Sequence, residues 1–304
     1  MIVPLGAEAL ALVAAFCFGA SQVTARRGLV DTSIIAGMLI SLSTAFLVIG
    51  GLVALNPPEA LDATGLLFFS LGGLAAPGVS RWAATTGVHR LGPSIAVPIT
   101  QGVRPILAVT GAVLLLGESV DLQRFLGLTA IVAGGWYLSR SREEARTMSL
   151  GAFEGGHSYP LRRFRPGIVF PLLAGLAYAS SDLLVKHALG YLPYATLGAF
   201  VGIATALTTW GGIISFVPRA RRQLRVGRDF GWLIVSGGLN ALALMSIFSA
   251  LERGDVSLVS TLAASQPLTV FVFSRLLLRS IERLDASTVI AGSAVVAGTI
   301  LVSL

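Results

Sequence analysis

Residues 87–139 read GVHRLGPSIAVPITQGVRPILAVTGAVLLLGESVDLQRFLGLTAIVAGGWYLS, and residues 250–303 repeat this stretch in altered form. The matched positions lie 162 to 164 residues apart: Arg90 with Arg253, Ser94 with Ser257, Pro105 with Pro267, Glu118 with Glu282, and Ala133-Gly134 with Ala297-Gly298. Both copies contain an apolar run with a central proline, a short polar turn with a glutamate, and a second apolar run. The pattern indicates an internal duplication.

The apolar runs are of membrane-spanning length. Runs of roughly 20 residues match the ~30 Å hydrocarbon layer of a bilayer at 1.5 Å per residue. The composition agrees, because 54% of the residues are hydrophobic, only 12% are charged and the mean hydropathy is +0.81. These values exclude an ordinary soluble protein and predict a multi-pass membrane protein.

We predict ten spans, separated by turns that contain glycine, proline or charged residues. They lie near residues 8–24, 33–55, 65–88, 94–116, 124–139, 167–187, 195–217, 232–251, 257–278 and 286–303. The most polar piece, residues 140–166, is a basic linker between a first repeat at 7–139 and a second at 167–304. The predicted fold is therefore an all-α membrane protein of ten transmembrane helices.

The first halves of the two repeats also match, so each repeat contains five spans. Phe18-Gly19-Ala20-Ser21-Gln22 matches Tyr178-Ala179-Ser180-Ser181-Asp182 at a spacing of 160 residues. An odd number of spans means that the second repeat crosses the membrane in the opposite sense to the first. Inverted repeats of this kind place a binding site near the membrane midplane. They rock around this site so that it opens to one side of the membrane and then to the other, and the repeat itself therefore predicts transport.

The basic residues of the loops predict the orientation. Sixteen arginines fall on one side: Arg26, Arg27, Arg90, Arg140, Arg142, Arg146, Arg162, Arg163, Arg165, Arg219, Arg221, Arg222, Arg225, Arg228, Arg279 and Arg283. The other side has Arg124, Lys186 and Arg253. By the positive-inside rule the arginine-rich side is cytoplasmic, which places both termini outside the cytoplasm of a plasma (inner) membrane.

These features together resemble the EamA family of the drug/metabolite transporter superfamily. The resemblance lies in two five-span repeats, in Pro105 with Gly117-Glu118 and Gly134-Gly135, and in Pro267 with Glu282 and Gly298. It implies a metabolite permease whose central cavity is lined by the first, third and fourth spans of each repeat. Two features depart from the family. The charge count places both termini outside the cytoplasm, whereas the family usually keeps them cytoplasmic, and Arg279-Ser280-Ile281-Glu282 lacks the glycine expected before the glutamate.

Arg104 is the most informative single residue, because it lies at the centre of the fourth span beside Pro105. A mid-membrane arginine costs about 3 kcal/mol on insertion scales, so it is expected to face the bundle interior, a wet cavity or a partner. It either binds a substrate carboxylate or phosphate, or pairs structurally with a carboxylate or helix-end carbonyls. Pro105 and Pro267 are predicted helix breaks. Arg81 in the third span is a second substrate-binding candidate.

Asp182 is the most embedded carboxylate after Glu8, and both are candidates for proton coupling. Asp182 lies one helical turn before Lys186 and one turn after Tyr178. It forms either a local i,i+4 ion pair with Lys186, or part of the cavity, where it pairs with Arg104 or Arg81 or takes up a proton. The alternative for Glu8 is an interfacial charge. Tyr178 either stacks on substrate or packs against neighbouring side chains.

Four amides in the spans complete the predicted binding set: Gln22, Gln101, Asn240 and Gln266, the last being the repeat counterpart of Arg104. Each either hydrogen-bonds substrate or joins helices.

The sequence contains no zinc-protease, diphosphate or nucleotide-binding motif, so neither an enzyme nor a cofactor or metal is predicted. The expected partners are a small-molecule substrate and membrane lipid, not nucleic acid, and the sequence does not predict an oligomeric state. The pattern favours a secondary-active permease or exporter of an anionic or zwitterionic metabolite, such as an amino acid, organic acid or phosphorylated compound. The alternative is a translocator of a lipid-linked substrate, or a non-transporting scaffold of the same fold.

Overall fold

A computed structural model describes residues 6–91, 93–134, 137, 167–218, 221, 224–277, 297–298 and 301. Every regular element in these residues is a helix, and seven helices are long and apolar enough to cross a membrane. Two shorter apolar helical segments coincide with the fifth and ninth predicted spans: Leu122–Gly134, and Val256–Val270, which is interrupted at Ala264 and Ser265. The tenth predicted span lies outside the described residues, apart from three positions near its end.

In the described part of the first repeat, six α-helices form five apolar segments. They are α1 (Ala7–Gly28), α2 (Ile34–Leu55), α3 (Ala63–Gly73), α4 (Ser80–Leu91), α5 (Pro93–Gly111) and α6 (Leu122–Gly134). Polar caps fix two of the starts: Ser33 Oγ accepts from the backbone N–H of Ala36, and Asp62 Oδ1 from that of Gly65.

The third segment is a broken helix. A wide π-helical turn, Leu74–Val79, connects α3 to α4, and inside it Ala76 is extended with φ −144° and ψ 124°. Pro77 follows, which has no N–H to continue the hydrogen-bond ladder. The second repeat satisfies the carbonyls that this break frees: Ser181 Oγ donates to Ala76 O at 3.4 Å, and Trp210 Nε1 donates to Gly78 O at 3.3 Å.

The fourth segment differs from the sequence prediction. Helix α5 runs without interruption through Pro105, so the predicted break at this proline is wrong. Proline fixes φ near the helical value, and within a membrane bundle the single lost N–H bond is tolerated. The segment continues as a wide turn, Ala112–Leu116, and ends at Gly117, whose φ of 70° is the left-handed conformation that glycine adopts without strain.

The second repeat is described as α7 (Val169–Tyr191), α8 (Ala195–Phe216), α9 (Gly231–Arg253), α10 (Val256–Ala263) and α11 (Gln266–Leu277). A real break separates α10 from α11 at Ala264 and Ser265. Pro267 is the second residue of α11, where its missing N–H would have no intrahelical partner. The ninth span is therefore two short helices.

The two repeats pack against each other through equivalent helices. In the first pairing, α1 lies along α9: Ser21 Oγ donates to Ser236 O at 2.9 Å, and Ser236 Oγ donates back to Ser21 O at 2.8 Å. In the second, α7 lies along α3, where Gly72 faces Val185. Such close packing of small residues is the usual basis of helix association in lipid.

Glycines set two further close approaches that the duplication relates. A Cβ on Gly73 would overlap the backbone of Gly202 in α8, and a Cβ on Gly237 would lie 2.7 Å from Ser41 O in α2. Gly73 and Gly237 are 164 residues apart, and Ser41 and Gly202 are 161 apart. These spacings match those of the duplicated stretches, so the repeat extends to helix packing.

The described loops separate into two ends. At one end the α1–α2 turn binds the segment before α9: Ser33 N–H donates to Arg225 O at 2.9 Å, and Gly227 N–H donates to Thr32 Oγ1 at 3.0 Å. At the opposite end the start of α1 meets the α9–α10 turn, where a Cβ on Gly254 would contact Ala7. Which end faces the cytoplasm remains a prediction from charge.

Candidate functional site

Arg104 lies inside the bundle at the middle of its segment. Eleven residues precede it and twelve follow it between Pro93 and Leu116, and the residue is only 6% exposed. Its guanidinium forms a two-bond fork on Asp182 of α7, with Nε to Oδ2 and Nη2 to Oδ1 both at 3.0 Å. A buried charge is stable only with such a partner, and a planar fork is the strongest arrangement available to arginine.

Asp182 forms its ion pair with Arg104 and not with Lys186, which is one helical turn away in the sequence. The residue is 6% exposed, and its Oδ2 also accepts from Ser260 Oγ of α10 at 2.9 Å. Lys186, predicted as one possible ion-pair partner, points elsewhere: its Nζ donates to the carbonyls of Leu251 at 2.9 Å and Gly254 at 2.8 Å. These carbonyls end α9, where a cation is favoured by the helix dipole.

Tyr178 packs against the cation of the pair. The Arg104 guanidinium carbon lies 5.2 Å from the centre of the Tyr178 ring, within cation–π range. Arg81 is partly exposed and lies on α4, which packs against α7, the helix of Tyr178 and Asp182. The structure therefore brings three of the predicted residues, Arg104, Tyr178 and Asp182, into one cluster, with Arg81 on a neighbouring helix.

The amides divide into those in the bundle interior and one outside it. Gln101 Nε2 donates to Gln266 Oε1 at 3.2 Å, which joins α5 to α11 across the two repeats. Asn240 is 5% exposed, and its Nδ2 has no hydrogen-bond partner in the described part of the protein. Gln22 is exposed, and no described contact connects it to the cluster.

Glu8 lies away from the cluster. It is a partly exposed residue in the first turn of α1, the end that meets the α9–α10 turn. A carboxylate in a first helical turn is stabilised by the helix dipole, which agrees with an interfacial charge.

Two functional groups were missed from the sequence. Ser260 completes the hydrogen bonding of Asp182, yet a serine in an apolar run carries no distinguishing signal. Glu118, seen only as part of the repeat, binds the start of α10: Oε1 accepts from Val256 N–H at 2.8 Å and Oε2 from Ser257 N–H at 3.0 Å. Arg124 strengthens this junction through a 2.9 Å ion pair with Asp255.

The chemistry of the cluster is that of charge recognition. A guanidinium, a carboxylate, a phenol and a hydroxyl lie together at mid-bundle, and amides join the repeats nearby. Within the described residues no three His, Cys, Asp or Glu side chains are grouped so that they could hold a metal ion.

Comparisons with known proteins agree with this architecture. A sequence model of the EamA-like transporter family matches residues 5–140 and 165–304. One solved crystal structure superposes on this chain with a TM-score of 0.76, at 16% sequence identity and over 98% of both chains. At that identity the likeness shows the fold alone. No curated protein matches the sequence.

Proposed function

We propose that this chain, which belongs to the EamA-like transporter family, is a secondary-active transporter of a small metabolite that carries a negatively charged group. The substrate class includes organic acids, amino acids and phosphorylated compounds. Alternating access between the inverted repeats would move the substrate across the membrane. Membership of the family identifies the chain as a multi-pass membrane transporter of the drug/metabolite transporter superfamily. The substrate class and the transport mechanism are our proposal.

The observation that carries the proposal is the fork between Arg104 and Asp182. Arg104 is on the first repeat and Asp182 is on the second, and both are buried midway along their helices. Intramembrane ionisable residues in such positions mark substrate or ion pathways. Inverted-repeat transporters bind substrate where the repeats meet, which is where this pair lies.

The pair also suggests the shape of the ligand. The Asp182 carboxylate occupies both donors on one edge of the Arg104 guanidinium, as a substrate carboxylate or phosphate would. The Arg104 guanidinium lies over the Tyr178 ring, and Arg81 on the neighbouring helix α4 is a second positive charge for a larger anion. In this interpretation the Asp182 carboxylate occupies the anion-binding edge of Arg104 while substrate is absent.

A thermal-stability screen of the purified protein tests the proposal. The probes are L-lactate, L-alanine, inorganic phosphate and choline, which cover an anion, a zwitterion, an oxyanion and a cation. Ligand binding to the folded state raises the melting temperature by mass action, so we expect a rise with at least one of the first three probes and none with choline.

Two variants assign the effect to Arg104. Arg104→Gln, which copies its repeat counterpart Gln266, should abolish the rise, and Arg104→Lys, which keeps the charge without the fork, should weaken it. Arg124→Gln is the matched control, because it removes the other described ion-paired arginine at the edge of the bundle. Equal stabilisation of wild type and a folded Arg104→Gln would overturn the proposed site, and no response to any anionic or zwitterionic probe would overturn the substrate class.

A further inference from the structure

We propose that Asp182 couples the binding of a monoanionic substrate to the uptake of one proton. The inference rests on the proposed function, because it concerns Asp182 when a substrate anion takes its place on Arg104. The ion pair opens, and the substrate oxygens accept hydrogen bonds from the guanidinium N–H groups. One Asp182 oxygen then binds a proton from the aqueous solution. No electrons are transferred, and the buried site holds one cation and one anion before and after.

The geometry makes the anion and the Asp182 carboxylate compete. Both Asp182 oxygens are held by a single guanidinium, through Nε and Nη2, at 3.0 Å each. A substrate that uses the same fork must displace them, which leaves a carboxylate that is only 6% exposed without its cation. An uncompensated buried charge is strongly unfavourable, and protonation removes it.

Ser260 suits both protonation states of Asp182. Its hydroxyl donates to Oδ2 at 2.9 Å when the carboxylate is ionised. A hydroxyl has both a donor and acceptor lone pairs, so after rotation it accepts a hydrogen bond from the protonated acid. Asp182 therefore keeps a partner after it leaves Arg104.

The other charged or titratable groups near Asp182 do not replace Arg104 as the cation that neutralises its carboxylate. On its own helix Tyr178 lies one turn before it, under the Arg104 cation, and Lys186 lies one turn after it. The Lys186 ammonium is bound to the Leu251 and Gly254 carbonyls. Helix α4, which packs against α7, carries Arg81, and α10 contributes the uncharged Ser260.

A zwitterion should behave differently from an anion of the same size. L-alanine and L-lactate differ in having an ammonium or a hydroxyl on the same carbon. Bound through its carboxylate to Arg104, L-alanine brings a cation that can neutralise Asp182, whereas L-lactate brings none. Proton uptake is therefore expected with L-lactate and not with L-alanine.

Two measurements test the inference on the full-length protein. The first is the affinity for L-lactate against pH, over a range in which lactate stays ionised. Uptake of one proton raises the affinity about tenfold for each unit by which the pH falls, since proton and anion binding are reciprocally linked. In Asp182→Asn the slope should vanish and lactate should bind roughly tenfold more tightly, because the competing carboxylate is gone. Asp255→Asn, which removes an ion-paired carboxylate at the edge of the bundle, should keep the wild-type slope.

The second measurement needs no ligand. Infrared difference spectra of Arg104→Gln against wild type should show the carbonyl band of a protonated carboxylic acid, and the band should be lost in Arg104→Gln/Asp182→Asn. A lactate affinity independent of pH, with an ionised Asp182 in Arg104→Gln, would overturn coupling and leave the proposed function standing. If Arg104→Gln does not fold, the pH dependence decides alone, and absence of any lactate binding would overturn coupling for this anion.

Discussion

Arg104 of the first repeat and Asp182 of the second neutralise each other inside the bundle, at two contacts of 3.0 Å. The pair connects α5 with α7, and the Ser260 hydroxyl extends it to α10. Three helices from both repeats thus depend on one buried charge pair. Any movement of the repeats that separates these helices must supply other partners for both charges, which substrate and proton would do.

Breaking the pair on one side should destabilise the protein more than replacing both partners. We expect Arg104→Met or Asp182→Leu to lower the free energy of unfolding by about 3–5 kcal/mol, since each removes the partner of a buried ionisable group, and neutralising or solvating that group costs free energy. The double variant should recover most of this loss. Thermal unfolding followed by tryptophan fluorescence gives the comparison, and a double variant as unstable as the sum of the singles would show that the two residues act independently.

The sequence predicted an all-helical membrane protein with two repeats because the signals for both are long or repeated. A span of about 20 apolar residues and a match at a spacing of 160 to 164 residues both survive local irregularities. The pairing of Asp182 with Arg104 was among the alternatives, because charges in lipid require partners. The sequence left Lys186, Arg104 and Arg81 open as partners of Asp182, and helical spacing alone favours Lys186, which the structure places elsewhere.

Local geometry was predicted less well. Both Pro105 and Pro267 were expected to break their helices, yet α5 continues through Pro105 while the ninth span separates at Ala264–Ser265. The break at Ala76 was not predicted, although Pro77 follows it. Whether a membrane helix breaks at a proline depends on neighbouring helices that satisfy the freed carbonyls, and these neighbours are distant in sequence.

Glu118 should stabilise the start of α10 across the repeat boundary. Glu118→Gln leaves an amide that can accept only one of the two backbone N–H bonds and lacks the charge that favours a helix N-terminus. We expect a loss of about 1–2 kcal/mol in the free energy of unfolding. Glu59→Gln, at an exposed position in the α2–α3 loop, is the control and should change it by less than about 0.5 kcal/mol.

Lys186 should contribute to stability without taking part in ligand recognition. Its ammonium satisfies two carbonyls at the end of α9, and Lys186→Met leaves them without this partner. The expected loss is about 1 kcal/mol, a typical value for a charge at a helix end. The ligand-induced rise in melting temperature should remain unchanged, and its disappearance would show that Lys186 takes part in ligand recognition.

The contact between Gly73 and Gly202 should not tolerate a methyl group. Gly73→Ala would place Cβ against the Gly202 backbone, which cannot yield as a side chain can. Overpacking of this kind costs about 1–3 kcal/mol, and more where backbones meet. Gly51→Ala in α2 is the matched control, because nothing lies within 4 Å of its added Cβ. It should be neutral or slightly stabilising, since alanine favours helix. Equal melting temperatures for the two variants would contradict the close approach.

The orientation can be determined from two surface positions with equal exposure. Val30, in the α1–α2 turn at the arginine-rich end, and Leu122, at the start of α6 at the opposite end, are both 73% exposed. Each is replaced by cysteine in a Cys17→Ala background, which removes the single and buried native cysteine. The positive-inside rule then predicts that a membrane-impermeant maleimide labels Leu122→Cys in intact cells, and Val30→Cys only after permeabilisation. Equal exposure means that a difference in labelling reports the side of the membrane and not the reactivity of the thiol. The opposite result would place both termini in the cytoplasm, as in the usual arrangement of the family, and would mean that the sixteen loop arginines serve another purpose than setting topology.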